Sequence, residues 1–169
     1  PEMTLHHQLD SWREGEFADD VPSLSGIHFE VIEPALDDAT RELLAKALQA
    51  RVRNQVRKDR RVLPIDLNQF VWFSADTPPQ EALLPIERIR QMLNRTRLRH
   101  EGVPVSIHVM AGVVAGLADD DAPRLLKRLQ AAHQHTLDES DHATSLDTGQ
   151  GPLGIAAYDI EVVESDCEF

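Results

Sequence analysis

The sequence has few of the features that place a protein in a class at once. Cys167 is its one cysteine, which excludes an internal disulfide framework and a cysteine-based zinc site. No apolar run is long enough to span a membrane, because the longest, residues 103–117, is interrupted by Pro104, Ser106 and two glycines. The sequence also lacks a G-x-S-x-G elbow, an H-E-x-x-H motif, a Walker loop, a G-x-G-x-x-G loop and an EF-hand loop. These absences favour a protein that is not an enzyme.

The composition that remains suits one globular domain. Of the 169 residues, 41% are hydrophobic and 27% are charged, which is enough apolar material for a core and too much for a disordered chain. We expect an acidic N-terminal arm at residues 1–25, a single α/β-type domain at residues 26–165 and an acidic tail at residues 166–169. The first residues do not form a secretory leader, and together with the single thiol this predicts a cytoplasmic location. No cofactor is predicted.

The charge is distributed unevenly along the chain. The net charge of −12 arises from 17 basic and 29 acidic residues. Residues 1–40 have ten acids and one base, residues 41–100 have six acids and thirteen bases, and residues 101–169 have thirteen acids and three bases. A basic middle segment with a net charge of +7 therefore lies between ends with net charges of −9 and −10. Either the acidic ends face a basic partner, or they neutralise the middle segment within the fold.

The pattern of apolar residues predicts four strands and three helices in alternation. Strands are expected at residues 26–33, 62–74, 103–110 and 154–164. Helices are expected at residues 36–60, at residues 80–100 and after the acidic residues 119–121. Residues 138–150 lack apolar periodicity and are expected to form a polar loop.

Three of the four predicted strands alternate between apolar and polar residues, which indicates that each buries one face. In the first strand, Ile27, Phe29 and Val31 alternate with His28 and Glu30. Central strands of a parallel sheet are covered on both faces and are more continuously apolar. We therefore predict an α+β fold, a two-layer sandwich with helices on one face of a mixed sheet of four to five strands. The alternative is an α/β three-layer fold with a doubly wound sheet.

Basic residues line one face of each of the first two predicted helices. Helical spacing aligns four of them on the first helix and three on the second, namely Lys46, Arg53, Arg57 and Arg60, and Arg88, Arg95 and Arg99. Guanidinium groups pair with phosphates through parallel hydrogen bonds, so these faces are candidate binding surfaces for a nucleic acid or a nucleotide. The alternative is a pair of solvated helix faces that pair with the acidic ends.

Polar residues on the strands form a second candidate site. The positions that alternate with the apolar ones include two histidines and three acids, namely His28, Glu30, His108, Asp159 and Glu161. If their strands are neighbours, these side chains converge and suit a divalent metal or general acid–base chemistry. The alternative is a half-open polar face or a self-association surface. His133 continues the apolar stripe of the third helix and is expected at the edge of the core.

The excess of acid leads to the main functional hypothesis. We predict an acidic cytoplasmic protein that binds and neutralises a basic protein, such as an immunity protein or antitoxin acting on a nuclease-like toxin. The partner-binding candidates are Asp19, Asp20, Asp119, Asp120, Asp138, Glu139 and Asp141. Nucleic-acid or nucleotide binding through the arginine-rich helix faces is one alternative, and a small metal-dependent or acid–base enzyme is another. A homodimer is a further alternative, because a partly apolar open sheet face or edge favours self-association.

Overall fold

The computed structural model describes residues 2–138, 144–155 and 157–169. These residues form four helices and eight strands. In chain order the elements are α1 (Glu2–Glu14), β1 (Ser23–Glu33), α2 (Asp38–Gln55), β2 (Leu63–Asp66), β3 (Gln69–Ser74), α3 (Pro79–Asn94), β4 (Thr96–His100), β5 (Val103–Ala115), α4 (Ala122–Asp138), β6 (Thr144–Asp147), β7 (Leu153–Ile155) and β8 (Ser165–Glu168). Within the described ranges, no helix is both long enough and apolar enough to cross a membrane.

The eight strands form one mixed sheet. Six of them follow the order β2-β3-β1-β5-β4-β8, and β6 pairs with β5 and with β7. Most neighbours are antiparallel, whereas β4–β8 and β5–β6 are parallel. The long pair β1–β5 lies at the centre and places Gly26 opposite Gly112. The predicted α+β class, with helices packed on a mixed sheet, is confirmed.

The finer arrangement differs from the two-layer prediction, because helices cover both faces of the sheet. One core cluster joins α2 and α3 to residues such as Ile27 and Phe70. The other joins α1 and α4 to residues such as Leu24 and Val71. Of the two polar positions that alternate on β1, Glu30 is exposed, whereas His28 is partly buried and contacts His133 of α4. The strands also number eight among the described residues, where four to five were predicted.

Two predicted elements each divide into two in the structure. The predicted strand at residues 62–74 is the hairpin β2–β3. The predicted helix at residues 80–100 ends at Asn94 and continues as β4, in which Thr96 and Leu98 are buried while Arg97 and Arg99 are exposed. This two-residue period fits a strand, and β4 pairs with β5 through a tight hairpin.

The C-terminal part of the chain departs most from the sequence prediction. The strand expected at residues 154–164 is not formed, because β7 ends at Ile155 and residues 157–164 have no regular structure. Strand β6 lies instead in the predicted loop at residues 138–150, and its polar residues are buried beside β5. The division at residues 25 and 165 stays a prediction, although α1 contributes Leu5, Leu9 and Trp12 to the core.

Candidate functional site

A basic pocket lies where α2 ends and the chain turns towards β2. Its volume is about 810 Å³, which is within the range of small-molecule sites. One acid and five cationic residues line it, namely Asp59 and Arg53, Arg57, Lys58, Arg60 and Arg61. The pocket therefore concentrates positive charge on a chain whose net charge is −12.

Local structure brings these cations together. Helix α2 ends at Gln55, and the amide of Val56 donates to the carbonyl of Val52 across 3.1 Å. Arg53 lies in the last helical turn, where the helix dipole favours a cation. A turn closed by the Arg60 amide and the Arg57 carbonyl, 2.9 Å apart, then reverses the chain. Residues 57–61 therefore lie beside the C-terminal end of α2 and line one pocket with Arg53.

Two carboxylates hold part of this basic cluster in place. Arg57 Nη2 lies 2.9 Å from Asp59 Oδ2, and Arg57 Nη1 lies 3.6 Å from Asp76 Oδ2. Arg60 donates to the same two carboxylates and is the more buried arginine, with 12% of its side chain exposed. Burial alone would raise the pKa of Asp76, but attraction to Arg60, a hydrogen bond from Thr77 and attraction to Arg57 lower it below its ordinary value.

The other three cations of the pocket are available to a ligand. Arg53, Lys58 and Arg61 are exposed, and none forms an ion pair with a residue in the described part of the chain. A second cavity of about 490 Å³ lies between α1 and the same turn and shares Asp59, Arg60 and Arg61 with the pocket. The two cavities therefore adjoin at Asp59, Arg60 and Arg61.

A smaller cleft lies at the β2–β3 turn and has different electrostatics. We call it the hairpin cleft. Its volume is about 340 Å³, and its charged lining residues are Arg41, Glu30 and Asp66. The Phe29 amide donates to the carbonyl of Asn68 across 3.0 Å, which fixes the turn against β1. With one cation and two carboxylates, this cleft suits an anionic ligand less well than the basic pocket does.

The structure separates the predicted phosphate-binding residues into two groups. Arg53, Arg57 and Arg60 meet in the basic pocket as described above. The others do not line it: Lys46 and Arg88 are exposed elsewhere on α2 and α3, Arg95 caps α3, and Arg99 lies on β4. Lys58 and Arg61 are pocket residues that were not predicted, although the basic run at residues 57–61 was a usable signal.

The predicted polar sheet face is assembled only in part. Glu30 and His108 are opposite each other in the β1–β5 register, and His28 Nε2 lies 3.6 Å from Glu30 Oε1. Asp159 and Glu161 belong to the irregular residues 157–164 and are exposed, so the strand that was to place them on this face does not exist. Among the residues that the structure describes, no group of three or more histidines, cysteines and acids is arranged to hold a metal ion.

The predicted acidic partner-binding residues have different surroundings in the structure. Asp120 is buried, pairs with Arg128 and accepts a hydrogen bond of 2.7 Å from the Leu117 amide, so its role is structural. Asp19 and Asp20 line a cavity beside Asp76. The remaining candidates are Asp119, which is exposed, Asp138, which ends α4, and Glu139 and Asp141, which lie outside the described residues.

His133 is the most strongly perturbed titratable group of the described chain. It is 4% exposed, and its ring lies 5.5 Å from that of His28. Neither ring nitrogen has a hydrogen-bond partner. Burial lowers the pKa of His133 to about 3, and the nearby His28 adds to the effect. This histidine packs over the central strands as a neutral group, in line with its predicted place at the edge of the core.

Acidification is expected to destabilise the protein through His133. The unfolded chain takes up this proton near pH 6.5, whereas the folded chain resists it down to about pH 3. The stability is therefore complete above pH 6.5 and falls by about 1.4 kcal/mol per pH unit below it, or roughly 2 kcal/mol by pH 5. Urea unfolding at pH 7.5 and pH 5 should show this loss in the wild type and a smaller loss in His133→Leu. The control variant His108→Leu, at an exposed position, should retain the wild-type pH dependence. Equal losses of stability in the wild type, His133→Leu and His108→Leu would contradict the assignment of the pH dependence to His133.

Comparison with solved structures identifies the fold. The GGDEF domain of DgcB from Caulobacter crescentus, solved in complex with c-di-GMP, superposes with a TM-score of 0.70 at 10% identity over 86% of this chain and 89% of that one. The diguanylate cyclase SiaD from Pseudomonas aeruginosa, solved with its activator SiaC, gives 0.66 at 13% identity over 99% of this chain and 58% of that one. An EAL/GGDEF domain protein from M. capsulatus gives 0.63 at 18% identity, over 88% and 99% of the two chains.

No protein-family profile and no curated protein matches the chain. The strings that name the similar domains, Gly-Gly-Asp-Glu-Phe and Gly-Gly-Glu-Glu-Phe, are absent from this sequence, in which no two glycines are adjacent. The predicted role as an inhibitor of a basic protein, an immunity protein or antitoxin, is wrong, because the structural neighbours are GGDEF domains of c-di-GMP metabolism. The chain has the fold of a GGDEF domain.

Proposed function

We propose that this domain binds c-di-GMP in the basic pocket and does not synthesise it. The observation that carries the proposal is the likeness, over 86% of the chain, to a GGDEF domain solved in complex with c-di-GMP. The five cations of the basic pocket support the choice of site, because they form a cation-rich cavity on a chain that is acidic overall.

The chemistry of the ligand matches that of the pocket. c-di-GMP has two phosphodiester anions and two guanine bases. Arginine pairs with phosphate oxygens through parallel hydrogen bonds, binds the O6 and N7 edge of guanine and stacks on its plane. Arg57 and Arg60 are already fixed by Asp59 and Asp76, so they lose little side-chain entropy on binding. The free cations then supply charge that no described residue neutralises.

Binding without synthesis is supported by the arrangement of the described acidic residues and by the sequence. Carboxylates that hold divalent cations are the usual means of neutralising a transferring phosphoryl group. The described residues include no acid cluster suited to a metal ion, and the glycine-rich strings that name the cyclase domains are absent. Incubation with GTP and Mg²⁺ is therefore expected to yield no c-di-GMP, as followed by chromatography.

Charge reversal in the basic pocket is expected to weaken the binding. Arg53→Glu and Arg61→Glu should each weaken c-di-GMP binding by at least about tenfold, because a hydrogen bond to a charged group contributes roughly 1.5–3 kcal/mol. Isothermal titration calorimetry measures the dissociation constants. The affinity should also fall as salt is raised, since exposed cations are screened.

Arg88→Glu is the matched control, because it makes the same charge change at an exposed residue of α3 outside the pocket. This variant should bind like the wild type. If Arg88→Glu weakens binding as much as Arg53→Glu does, the site is not the basic pocket. If the wild type shows no heat of binding at low salt, the proposed function is wrong.

A protein partner is the second element of the proposal. It is supported by the likeness to a diguanylate cyclase that was solved in complex with its activator. Neither the predicted basic partner nor a nucleic acid gains support from the comparisons. The cytoplasmic location and the absence of a cofactor stay predictions.

A further inference from the structure

The last residues of the chain form an acidic strap across the end of the sheet. We use this name for residues 157–169, which contain five acids and no base, namely Asp159, Glu161, Glu164, Asp166 and Glu168. The strap crosses α3, where Gln91 Nε2 donates to the Tyr158 carbonyl across 2.7 Å. It then pairs with β4 as the short parallel strand β8. The end of the chain therefore covers a sheet edge that would otherwise be open.

Arginines from three elements surround the strap. Arg97 Nε lies 2.7 Å from Asp166 Oδ1, and Arg97 Nη1 lies 3.1 Å from Glu164 Oε2.

Arg51 of α2 donates to the Ser165 hydroxyl and to the Asp166 carbonyl, at 3.0 and 2.7 Å. Arg95 Nη1 lies 3.4 Å from the carbonyl of Val162. Hydrogen bonding and attraction from Arg97 lower the pKa of Asp166. The acidic C-terminal end thus neutralises part of the basic middle segment.

The strap is attached partly by packing of Cys167 and Phe169 against the core cluster of α2 and α3, and partly by exposed charged contacts. The ion pairs of Arg97 are exposed to solvent, with 56% of the arginine and 72% of the Asp166 side chain accessible. Exposed pairs of this kind contribute little and are screened by salt. Strand β8 has four residues, and the ring of Phe169 after it stacks on His100 with 5.0 Å between centroids. Release of the strap would expose the amide and carbonyl groups of β4, flanked by arginines.

We propose that the β4 edge is a docking site for an extended acidic segment of a partner protein, which adds to the sheet as a strand in place of the strap. Added strands gain affinity from backbone hydrogen bonds and specificity from alternate side chains. On β4 the exposed alternate side chains are those of Arg97 and Arg99. In the free domain these two arginines lie opposite Asp166 and Glu168 of the strap. This inference is independent of c-di-GMP binding.

The same edge suits a second copy of the chain less well. Exchange of straps between two copies replaces each β8 by an identical strand and adds no contact at β4. The strap of the same molecule also has the advantage of a high effective concentration, on the order of millimolar. A partner segment longer than β8 can pair with all five residues of β4, where β8 pairs with four.

The test uses the full chain and a fluorescein-labelled peptide with the sequence of residues 159–169. Asp166→Lys repels Arg97 and so weakens the docking of the chain's own strap. The variant is expected to bind the peptide at least about tenfold more tightly than the wild type, whose strap competes at its effective concentration. Anisotropy at about 50 mM salt measures the affinity, which should fall several-fold at about 0.5 M salt.

Two further variants locate the binding. Arg97→Glu combined with Asp166→Lys restores an opposite-charge pair within the chain, and it should lose peptide binding. Asp159→Lys makes the same charge change at a strap residue without an ion pair in the described structure, so it should behave like the wild type. Hydrogen exchange in the central strands β1 and β5, which do not pair with the strap, checks that each variant retains the sheet.

The outcomes are distinct. Binding by Asp166→Lys that is lost in the double variant supports the docking site. The docking site is overturned if Asp166→Lys binds the peptide no more tightly than the wild type does. It is also overturned if the double variant binds the peptide as tightly as Asp166→Lys does. A dimer of Asp166→Lys that grows with concentration and excludes the peptide assigns the edge to a second copy and also overturns it. Titration with c-di-GMP is a separate measurement, so failure of one proposal leaves the other standing.

Discussion

Replacement of Glu87 by alanine is expected to lower the free energy of unfolding by about 3–5 kcal/mol, because it leaves a buried arginine unpaired. Glu87 and Arg90 are 1% and 7% exposed. Glu87 Oε1 accepts from Arg90 Nε at 2.8 Å and from Gln91 Nε2 at 3.2 Å, and Oε2 accepts from the Thr144 hydroxyl at 2.6 Å. One carboxylate therefore joins α3 to β6 and orients the glutamine that contacts the strap. Equilibrium urea unfolding measures the loss.

Glu42→Ala is the matched control, since this exposed glutamate of α2 has no ion pair in the described chain. Its effect should stay within about 0.5 kcal/mol. Burial raises the pKa of Glu87, yet its hydrogen bonds with Arg90, Thr144 and Gln91 hold it below the ordinary value, so the carboxylate is charged in the folded protein at neutral pH. A loss below about 1 kcal/mol for Glu87→Ala would contradict the buried network.

Gly26→Val is expected to cost about 1–3 kcal/mol or more through overpacking beneath α4. A Cβ atom at Gly26 would lie 2.5 Å from Leu129 Cδ2 and 3.2 Å from His133 Nε2. Leu129 is fully buried, so its side chain has little room to move aside. Urea unfolding of Gly26→Val measures the loss of stability.

A double-mutant cycle with Leu129→Ala separates this clash from other causes. Removing the leucine side chain opens space for the valine, so the double variant should lose less than the sum of the two single losses. Ser106→Val, at an exposed position of β5, should be close to neutral. Additive losses in the cycle would show that Leu129 is not the obstacle.

The sequence predicted the α+β class because periodicity is local information. The first strand and the helix after it are formed by residues whose own spacing specifies them. The second covered face was missed because small and polar residues on β1, such as Gly26 and His28, resemble solvent-facing positions until α4 packs over them. Strand β6 was missed for a related reason, since Thr144 is polar but buried against Glu87 of α3.

The site was predictable only where its residues share one element. Arg53, Arg57 and Arg60 follow a helical spacing, which continues past the end of α2 into the turn. Lys58 and Arg61 join them through the turn alone, which periodicity does not describe. The pairing of Arg97 with Glu164 and Asp166 depends on a parallel strand formed by distant residues, so the charge pattern indicated neutralisation within the fold without locating it.

The most direct test of the account maps bound c-di-GMP onto the folded chain. Backbone amide and arginine side-chain NMR signals are followed while c-di-GMP is added at low salt. The account predicts saturable shifts at Arg53, Arg57, Lys58, Arg60 and Arg61, the cations of the basic pocket. Shifts centred on the hairpin cleft, at residues 29–31 and 66–68, would contradict the assignment of the site. The absence of shifts at saturating ligand would contradict c-di-GMP binding itself.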